Sequence, residues 1–377
     1  MTKKIIIDDA VPYAKEMFSS LGDITCIAGK EIKTHHLKGA DALIIRSRTN
    51  ITPSLLENTP IKFVGSTVVG LDHVDLPYLK QQKIAFYSAQ GCNANSVAEY
   101  VITCIVNYAE KNKISLQTKT LGIIGVGNVG KRLQQKALAL GITVLANDPP
   151  RQEKEQLKEK TTSFVSLEKA LGADIISFHT PLTNSGKHPT LSLLNKKNFH
   201  HINNNALLIN AARGGIINES AWIKHAIKHK NITNIVDCWE NEPTINLQLH
   251  SLADISTPHI AGHALEAKIK GSLMVYQMLC SFWQKKENHQ WKKKQPLLPE
   301  IIKLPQNLTT QQAIHYLLKK CYQPITDHQA IDITNSTEFE TYRRNYPIRR
   351  EWSEYRVEMT NCRLLNQTIK WLGFQLI

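Results

Sequence analysis

The first quarter of the chain alternates short apolar stretches with polar stretches that have helical spacing. Buried strands are predicted at residues 4–7, 42–45 and 62–64. A helix is predicted to begin at Val11-Pro12, because proline is tolerated in the first turn of a helix. This alternation predicts a parallel sheet with helices on both faces, and such sheets bind ligands where their strands end. The loops at 46–48 and 65–70 are therefore candidate ligand contacts.

The middle of the chain begins a second series of strands and helices. The predicted elements are a helix at 95–109, a strand at 120–124, a helix at 129–140 that stops at Gly141, and a strand at 142–146. Later strands are predicted at 175–178, 206–209, 232–236 and 255–257, and a helix at 265–283. Beyond residue 287 the composition shifts, with lysines at 292–294 followed by Pro296 and Pro299. That shift predicts a linker into a third unit.

Composition places the chain among globular proteins, because 42% of its 377 residues are hydrophobic and 21% are charged. The net charge of +14 raises the question of nucleic-acid binding. The basic residues are spread along the chain, however, so a solvated basic surface is the preferred interpretation. A positive field would still steer an anionic substrate towards its site.

The seven cysteines are odd in number and widely spaced, and no pair has the spacing of metal ligands. We therefore expect free thiols in a reducing cytoplasm, and no metal. No apolar run reaches the roughly 18 residues of a membrane span, and the first residues lack a signal-peptide pattern. No membrane association is expected.

A glycine-rich motif, Gly125-Val126-Gly127-Asn128-Val129-Gly130, follows a predicted buried strand and begins a predicted helix. In this context it predicts a dinucleotide site. Gly125 permits a tight turn, Gly127 lets a pyrophosphate approach the backbone, and Gly130 lets helix and strand pack closely. The helix would also present free N–H groups and its positive dipole end to the phosphates.

An acidic residue, Asp148, follows the next predicted strand. Its carboxylate can accept hydrogen bonds from the adenosine ribose and repel a 2′-phosphate, which favours NAD over NADP. Arg151 is a signal in the opposite direction, since an arginine nearby can accommodate the 2′-phosphate.

Three polar segments follow later predicted strands: Asn210-Ala211-Ala212-Arg213-Gly214-Gly215, Val236-Asp237-Cys238-Trp239-Glu240-Asn241-Glu242-Pro243 and Thr257-Pro258-His259-Ile260-Ala261-Gly262-His263. Arg213 suits a planar carboxylate, because its guanidinium can bind both oxygens. His259 is the candidate base, because histidine changes charge nearest to neutral pH. A carboxylate on the far imidazole nitrogen would fix the tautomer, a role that Glu242 fits and for which Glu240 is the main rival.

In this order the residues resemble the D-2-hydroxyacid dehydrogenase family, over roughly residues 5–271. The resemblance implies that Arg213, Glu242 and His259 are catalytic. It also places Asp237 on the nicotinamide side and Thr180, in Thr180-Pro181, on a cofactor-side loop. The cofactor contacts that it implies are Gly125, Gly127, Asn128, Val129, Gly130, Asp148, Thr180, Ala211, Ala212, Arg213, Asp237 and Gly262.

Within that family the chain is similar to the branch that oxidises 4-phosphoerythronate with NAD in vitamin B6 biosynthesis. The supporting core segments are Phe63-Val64-Gly65, Asp72-His73-Val74-Asp75, Gly91-Cys92-Asn93-Ala94, Phe178-His179-Thr180-Pro181 and Thr257-Pro258-His259-Ile260-Ala261-Gly262. The distinguishing segments are residues 339–346 and 349–352, which are similar to an extra C-terminal dimerisation domain of that branch.

The resemblance implies an α/β chain of two doubly wound parallel-sheet domains and a small α+β domain. A flavodoxin-like substrate domain is expected at 1–94 and 264–286, a Rossmann NAD-binding domain at 95–263, and a dimerisation domain at 287–377. We therefore expect a homodimer that binds NAD and a phosphorylated 2-hydroxy acid, and neither nucleic acid nor a membrane.

The implied substrate contacts are Ser47, Thr67, Val68 and His263. Two of these depart from the family, which usually has a tyrosine at the position of His263 and a threonine at that of Val68. These departures should affect affinity for the phosphate end, which is expected near Ser47 with Arg46 or Arg48.

Two other functions remain open at this point. A dehydrogenase of glycerate or 3-phosphoglycerate would carry the same catalytic residues, and a NAD-sensing regulatory protein would have the same fold. An intact arginine–glutamate–histidine set weighs against the regulatory protein. The arginines at 343, 344, 349 and 350 either help to shape the active site across a dimer or are ordinary surface and interface charges.

Overall fold

The alternating apolar segments form parallel strands, as their pattern predicts. The computed structural model describes residues 2–158, 163–294 and 296–377, and the chain divides into two units. The first unit consists of Met1–Asn93 and Ala264–Leu297, and the second of Ala94–His263 and Leu298–Ile377. Helices and strands are numbered along the chain.

The first unit is built on a five-stranded parallel sheet with the order β2-β1-β3-β4-β5, which is that of flavodoxin-like sheets. Its elements are β1 (Lys4–Asp8), α1 (Ala14–Phe18), β2 (Asp23–Ile27), β3 (Ala42–Ile45), α2 (Pro53–Leu56), β4 (Phe63–Ser66), α3 (Leu76–Gln81), β5 (Ala85–Ser88) and α10 (Leu265–Phe282). The edge strands β2 and β5 are missing from the sequence prediction. Their residues are mostly half-buried, so they lack the continuous apolar run of a central parallel strand.

The second unit contains a six-stranded parallel sheet with the order β11-β10-β9-β8-β6-β7. The elements of this sheet and its helices are α4 (Ala94–Lys111), β6 (Thr120–Ile124), α5 (Asn128–Ala139), β7 (Thr143–Asn147), α6 (Pro149–Gln156), α7 (Leu167–Leu171), β8 (Ile175–Phe178), β9 (Leu207–Asn210), α8 (Glu219–Lys228), β10 (Thr233–Val236), α9 (Leu247–Leu252) and β11 (Ile255–Ser256). Strands β7 and β8 lie on opposite sides of β6. The topological switch point of the sheet is therefore beside the glycine-rich loop that follows β6. Two parallel α/β sheets confirm the predicted fold class.

The C-terminal part of the second unit is small and mixed in structure. Its elements are α11 (Thr310–Cys321), α12 (Pro324–Ala330), α13 (Ser336–Arg344), β12 (Arg356–Val357), α14 (Arg363–Leu372) and β13 (Gln375–Leu376), with β12 and β13 paired in parallel. Short 3-10 turns complete the fold at Gly29–Glu31, Thr34–Leu37, Leu116–Thr118, Phe199–His201, Gln290–Lys294 and Trp352–Glu354. The division of the chain into three domains stays a prediction.

A buried ion pair joins the C-terminal part to helices α4 and α5 of the second unit. Lys136 of α5 lies 3.8 Å from the carboxylate of Glu99 of α4, and their side chains are only 7% and 5% exposed. The Lys136 ammonium donates to the carbonyl of Leu372 at the end of α14, and it lies 4.6 Å from the centre of the Trp352 ring. Glu99 also accepts a hydrogen bond from the backbone of Trp352 at 3.1 Å. Both charges are therefore satisfied partly by the C-terminal residues.

None of the helices in the described ranges is long and apolar enough to cross a lipid bilayer.

Replacing Lys136 by methionine should lower the free energy of unfolding by about 3 kcal/mol, because the buried Glu99 carboxyl, whose pKa burial raises to about 8 even beside Lys136, loses its charged partner. Urea denaturation measures this change. Lys119→Met is the matched control, because Lys119 pairs with Asp174 at 3.3 Å where both side chains are about a third exposed. The control should lose no more than about 1 kcal/mol. Equal losses in the two variants would contradict the structural role of the Lys136 ammonium.

Candidate active site

Strands β9, β10 and β11 are neighbours in the sheet, and a polar loop follows each of them. Arg213 comes after β9, Glu242 after β10 and His259 after β11. The carboxyl ends of parallel strands meet at one edge of a sheet, so the three polar segments predicted from the sequence come together at that edge.

An imidazole–carboxylate pair lies at the centre of this edge. Nδ1 of His259 is 2.8 Å from Oε2 and 3.0 Å from Oε1 of Glu242. The carboxylate also accepts the backbone N–H of Trp239 at 2.9 Å. Burial pushes the pKa of Glu242 upwards, but the charge and hydrogen bond of His259, the charge of Arg343 and the N–H of Trp239 together outweigh burial, and the pKa is lowered. Since an ionised carboxylate only accepts, Nδ1 donates and Nε2 is the nitrogen left to accept a proton.

The rival carboxylate, Glu240, is bonded elsewhere. Its Oε1 accepts the backbone N–H of Glu219 at 3.2 Å, and Oε1 of Glu219 accepts the backbone N–H of Glu240 at 2.7 Å. Glu219 is the first residue of α8, where an acidic side chain is favoured. Burial, with the charges of Glu240 and Glu242, raises the pKa of Glu219 to about 7. Of the two candidates, Glu242 is the one bonded to the imidazole.

The loop that carries His259 is held by a buried carboxylate. Asp237 is 1% exposed, and it accepts hydrogen bonds from Oγ1 of Thr257 at 2.7 Å and from the N–H groups of Ile260 at 2.8 Å and Ala261 at 3.1 Å. Burial raises its pKa even so. Its observed contacts fix the loop, and the nicotinamide-side role expected from the family stays a prediction.

The loop that contains Arg213 is held in place by hydrogen bonds from the Asn210 side chain. The Asn210 amide donates to the carbonyls of Arg213 at 3.0 Å and Cys238 at 3.1 Å. A Cβ on Gly214 would lie 1.9 Å from the carbonyl oxygen of Trp239, so only glycine lets the loops after β9 and β10 approach so closely. The Arg213 guanidinium is half-buried and donates to the Ala212 carbonyl at 2.8 Å.

The three motif glycines differ in what surrounds them. Gly125 has a φ of +91°, and a Cβ there would lie 2.8 Å from the backbone of His179 and Thr180. A Cβ on Gly130 would lie 2.1 Å from the carbonyl oxygen of Gly125, where α5 packs against β6. A Cβ on Gly127 would meet no atom within 4 Å, so the space above it is open to a ligand.

Two polar residues lie beside the glycine-rich loop. Oδ2 of Asp148 accepts the N–H of Val126 at 2.8 Å, and Oδ1 accepts the N–H of Arg151 at 3.0 Å. Oγ1 of Thr180 is buried and has no hydrogen-bond partner among the described residues. A buried hydroxyl without a partner is costly, and a bound cofactor would satisfy it. The remaining predicted cofactor contacts occupy the expected loops, with Asn128 exposed, Val129 and Gly262 half-buried, and Ala211 and Ala212 buried.

The predicted substrate residues of the first unit lie where its strands end. Ser47 is exposed and Val68 half-buried, whereas Thr67 is buried and its hydroxyl donates to the Ile45 carbonyl at 3.2 Å. The Arg46 guanidinium donates to the Ala10 carbonyl at 2.8 Å. Arg48 lines a pocket of about 300 Å³ together with Lys30 and Lys33.

Sequence reasoning missed the contacts that the C-terminal residues make with this edge. The ring of Tyr346 meets the ring of His263 edge-on, with 5.7 Å between centroids. The buried Arg349 donates to the carbonyls of Ile260 and Ala261. A cluster of arginines is visible in the sequence, but only the packing shows which of them reaches the loop.

Cys238, Glu242 and His259 also bring a thiol, a carboxylate and an imidazole within 4.8 Å of one another. A thiol binds a metal as the thiolate. Burial and the charges of Asp237 and Glu242 raise the pKa of Cys238 well above its ordinary value. The Glu242 carboxylate and the His259 imidazole already bind each other, and we assign no metal to this cluster.

Residues 95–261 match the family described as the NAD-binding domain of D-isomer specific 2-hydroxyacid dehydrogenases, and residues 297–373 match a family described as a domain of unknown function. The chain is 53% identical to an erythronate-4-phosphate dehydrogenase of Hydrogenovibrio crunogenus, over 100% of this chain and 99% of that protein. It is 48% identical to one from Ruthia magnifica, over 94% of this chain and 97% of that protein. The chain belongs to the erythronate-4-phosphate dehydrogenase family. The predicted family and its branch are thus confirmed, as is NAD as the cofactor.

Solved structures agree on the fold. A NAD-bound 3-phosphoglycerate dehydrogenase of Entamoeba histolytica matches with a TM-score of 0.63 and 24% identity, over 75% of this chain and 96% of that one. The TT0316 protein of Thermus thermophilus matches with a TM-score of 0.63 and 23% identity, over 75% of this chain and 98% of that one.

Gly127→Ala should weaken NAD binding by about tenfold or more, because the added methyl group occupies the space that the pyrophosphate needs. Fluorescence titration measures the dissociation constant, and the melting temperature should stay near that of the wild type. Gly172→Ala is the control, because a Cβ there meets its neighbours at ordinary distances of 3.6–3.8 Å. Unchanged NAD affinity in Gly127→Ala would rule out this placement of the phosphates.

Proposed function

We propose that this chain oxidises 4-phospho-D-erythronate to 3-hydroxy-2-oxo-4-phosphooxybutanoate with NAD, as a step of vitamin B6 biosynthesis. The observation that supports this most is the bonded pair of His259 and Glu242. These residues follow β11 and β10, and β10 is the neighbour of β9, the strand that precedes Arg213. The identity of the substrate is inferred from the names of relatives that match along nearly the whole chain.

The chain's own residues handle the proton and the carboxylate. Arg213 binds the C1 carboxylate and polarises the C2–O bond, because its planar guanidinium matches the two oxygens. Neutral His259 accepts the proton of the C2 hydroxyl on Nε2, and Glu242 stabilises the imidazolium that results. When bound, NAD supplies the two-electron acceptor. Asp148, Thr180 and the open space above Gly127 are the features that fit it.

Ser47, Thr67, Val68 and His263 are the proposed substrate contacts. Val68 offers no hydroxyl, and the Thr67 hydroxyl already donates to a backbone carbonyl, so it remains available mainly as an acceptor. The phosphate therefore needs donors besides these two residues, and Ser47 with Arg46 or Arg48 is the proposed source.

A related dehydrogenase of glycerate or 3-phosphoglycerate is the main alternative. The match to a 3-phosphoglycerate dehydrogenase concerns the fold, whereas the relatives that match along the whole chain carry the erythronate name. A regulatory NAD-binding protein would not need the bonded His259–Glu242 pair.

NADH absorbance at several substrate concentrations tests the proposal. The wild type should form NADH faster from 4-phosphoerythronate than from 3-phosphoglycerate or glycerate. Glu242→Gln should lower kcat by about 100-fold or more. Glu240→Gln is the matched control and should stay within a few-fold of the wild type. Equal rates in the two variants would refute the assignment of Glu242, and a preference for 3-phosphoglycerate would refute the substrate.

We also propose that the chain forms a homodimer through its C-terminal residues. Leu364 and Trp371 are 72% and 59% exposed, and they lie seven residues apart on one face of α14. Exposed apolar side chains on one helix face are typical of a protein–protein contact.

The seven cysteines are free, which agrees with a reducing compartment, and we place the reaction in the cytoplasm.

Trp371→Glu should shift the protein from dimer to monomer in sedimentation equilibrium, because a charge would be buried in the interface. Leu157→Glu, at a side chain that is 87% exposed, is the control and should leave the mass unchanged. A dimer of unchanged affinity in Trp371→Glu would place the interface elsewhere.

A further inference from the structure

Helix α13 is fixed against the loop that carries Glu242. Phe339 of α13 is fully buried, and it belongs to one apolar cluster with Trp239 and Ile245 of the loop after β10 and Leu249 of α9. The helix lies within residues 297–373, the region that matches a domain of unknown function. Its position relative to Glu242 is therefore set by core packing.

One turn after Phe339, Arg343 reaches the carboxylate of the proposed catalytic pair. Its Nη1 is 3.9 Å from Oε2 of Glu242, and the two side chains are 24% and 18% exposed. The guanidinium lies 5.7 Å from the centre of the Phe339 ring, and its Nε is buried without a hydrogen-bond partner among the described residues. The separation is too long for a hydrogen bond, so Arg343 acts on Glu242 through its charge.

Glu242 thus lies between two positive groups when His259 is protonated. The other ionisable groups near this cluster are Asp237, Cys238, Glu219, Glu240 and Arg213, of which the Cys238 thiol is uncharged because its pKa is raised well above its ordinary value. Burial raises the pKa of Glu242, and the charge of Arg343 is one of the causes that lower it, together with the charge and hydrogen bond of His259. The guanidinium keeps its charge at every working pH, so its effect is constant.

We propose that Arg343 is a positioning residue for the His259–Glu242 pair. It keeps Glu242 ionised, opposes the positive charge on His259, and acts from the C-terminal region of the same chain. The inference rests on the proposed function. It also gives the domain of unknown function a part in the chemistry, without requiring a second copy of the chain to supply the arginine.

The pH dependence of NADH formation distinguishes this role from a merely structural one. Arg343→Met removes a charge that repels the imidazolium, so His259 gains its proton at a higher pH. Oxidation requires neutral His259, so the acidic limb of the kcat profile should move upwards by about half to one pH unit. Arg343→Lys should restore most of the wild-type profile. The KM for 4-phosphoerythronate should change less than twofold.

Arg344→Met is the matched control, because Arg344 follows Arg343 on the same helix and is exposed. At about 0.15 M salt its profile should coincide with that of the wild type. Melting temperatures of all variants show whether the fold is intact, and Arg343→Gln replaces the methionine variant if that one folds poorly. An unmoved acidic limb, or a large rise in KM without a shift of the limb, would overturn the proposal.

A second readout separates this proposal from the proposed function. The His259 ring can be titrated by NMR in the protein without ligands, with His259→Gln to assign its signals. Its titration midpoint should be higher in Arg343→Met than in the wild type, whatever the substrate is. Equal midpoints would refute the role of Arg343, whereas a failure to form NADH from 4-phosphoerythronate would refute only the function.

Discussion

The geometry of the candidate active site depends on the hydrogen bonds of one buried carboxylate, that of Asp237. Thr257, Ile260 and Ala261 donate to it and thereby fix the turn after β11. His259 lies inside this turn with a φ of +54°, a conformation that a residue with a side chain rarely adopts. Such a conformation persists only where surrounding contacts determine it. The carboxylate supplies those contacts, and the imidazole can then meet Glu242.

The same turn is held from its other side by the C-terminal residues. The N–H groups of Ile260 and Ala261 donate to Asp237, and their carbonyls accept from Arg349. Both residues are buried, so their carbonyl groups need partners inside the protein. Arg349 is itself kept in place, since it also donates to the carbonyl of Ser96 at 3.3 Å and lies 4.5 Å from the centre of the Tyr322 ring. The C-terminal region therefore completes the hydrogen bonding of the loop that carries His259.

Much of this arrangement could be predicted from the sequence because its signals are local. The glycine motif, the buried central strands and the polar segments after β9, β10 and β11 each depend on neighbouring residues or a short period. The edge strands β2 and β5 escaped prediction because partial exposure removes that period. The choice between Glu242 and Glu240 also required the structure, since the two differ by two positions in one loop and only their partners distinguish them. The contacts of Tyr346 and Arg349 depend on packing between distant segments, which no local pattern encodes.

The choice between NAD and NADP shows how packing can change the interpretation of a sequence signal. Arg151 near Asp148 suggests accommodation of a 2′-phosphate, yet its guanidinium is already engaged. Its Nε lies 2.5 Å from Glu155, and its Nη1 donates to the Val126 carbonyl at 2.9 Å. The N–H of Val126 meanwhile donates to Asp148, so Asp148 and Arg151 hold the two sides of Val126 within the glycine-rich loop. Binding a 2′-phosphate through Arg151 would break these bonds and bring a dianion beside the Asp148 carboxylate. The arginine that looks like a signal for NADP therefore supports the glycine-rich loop.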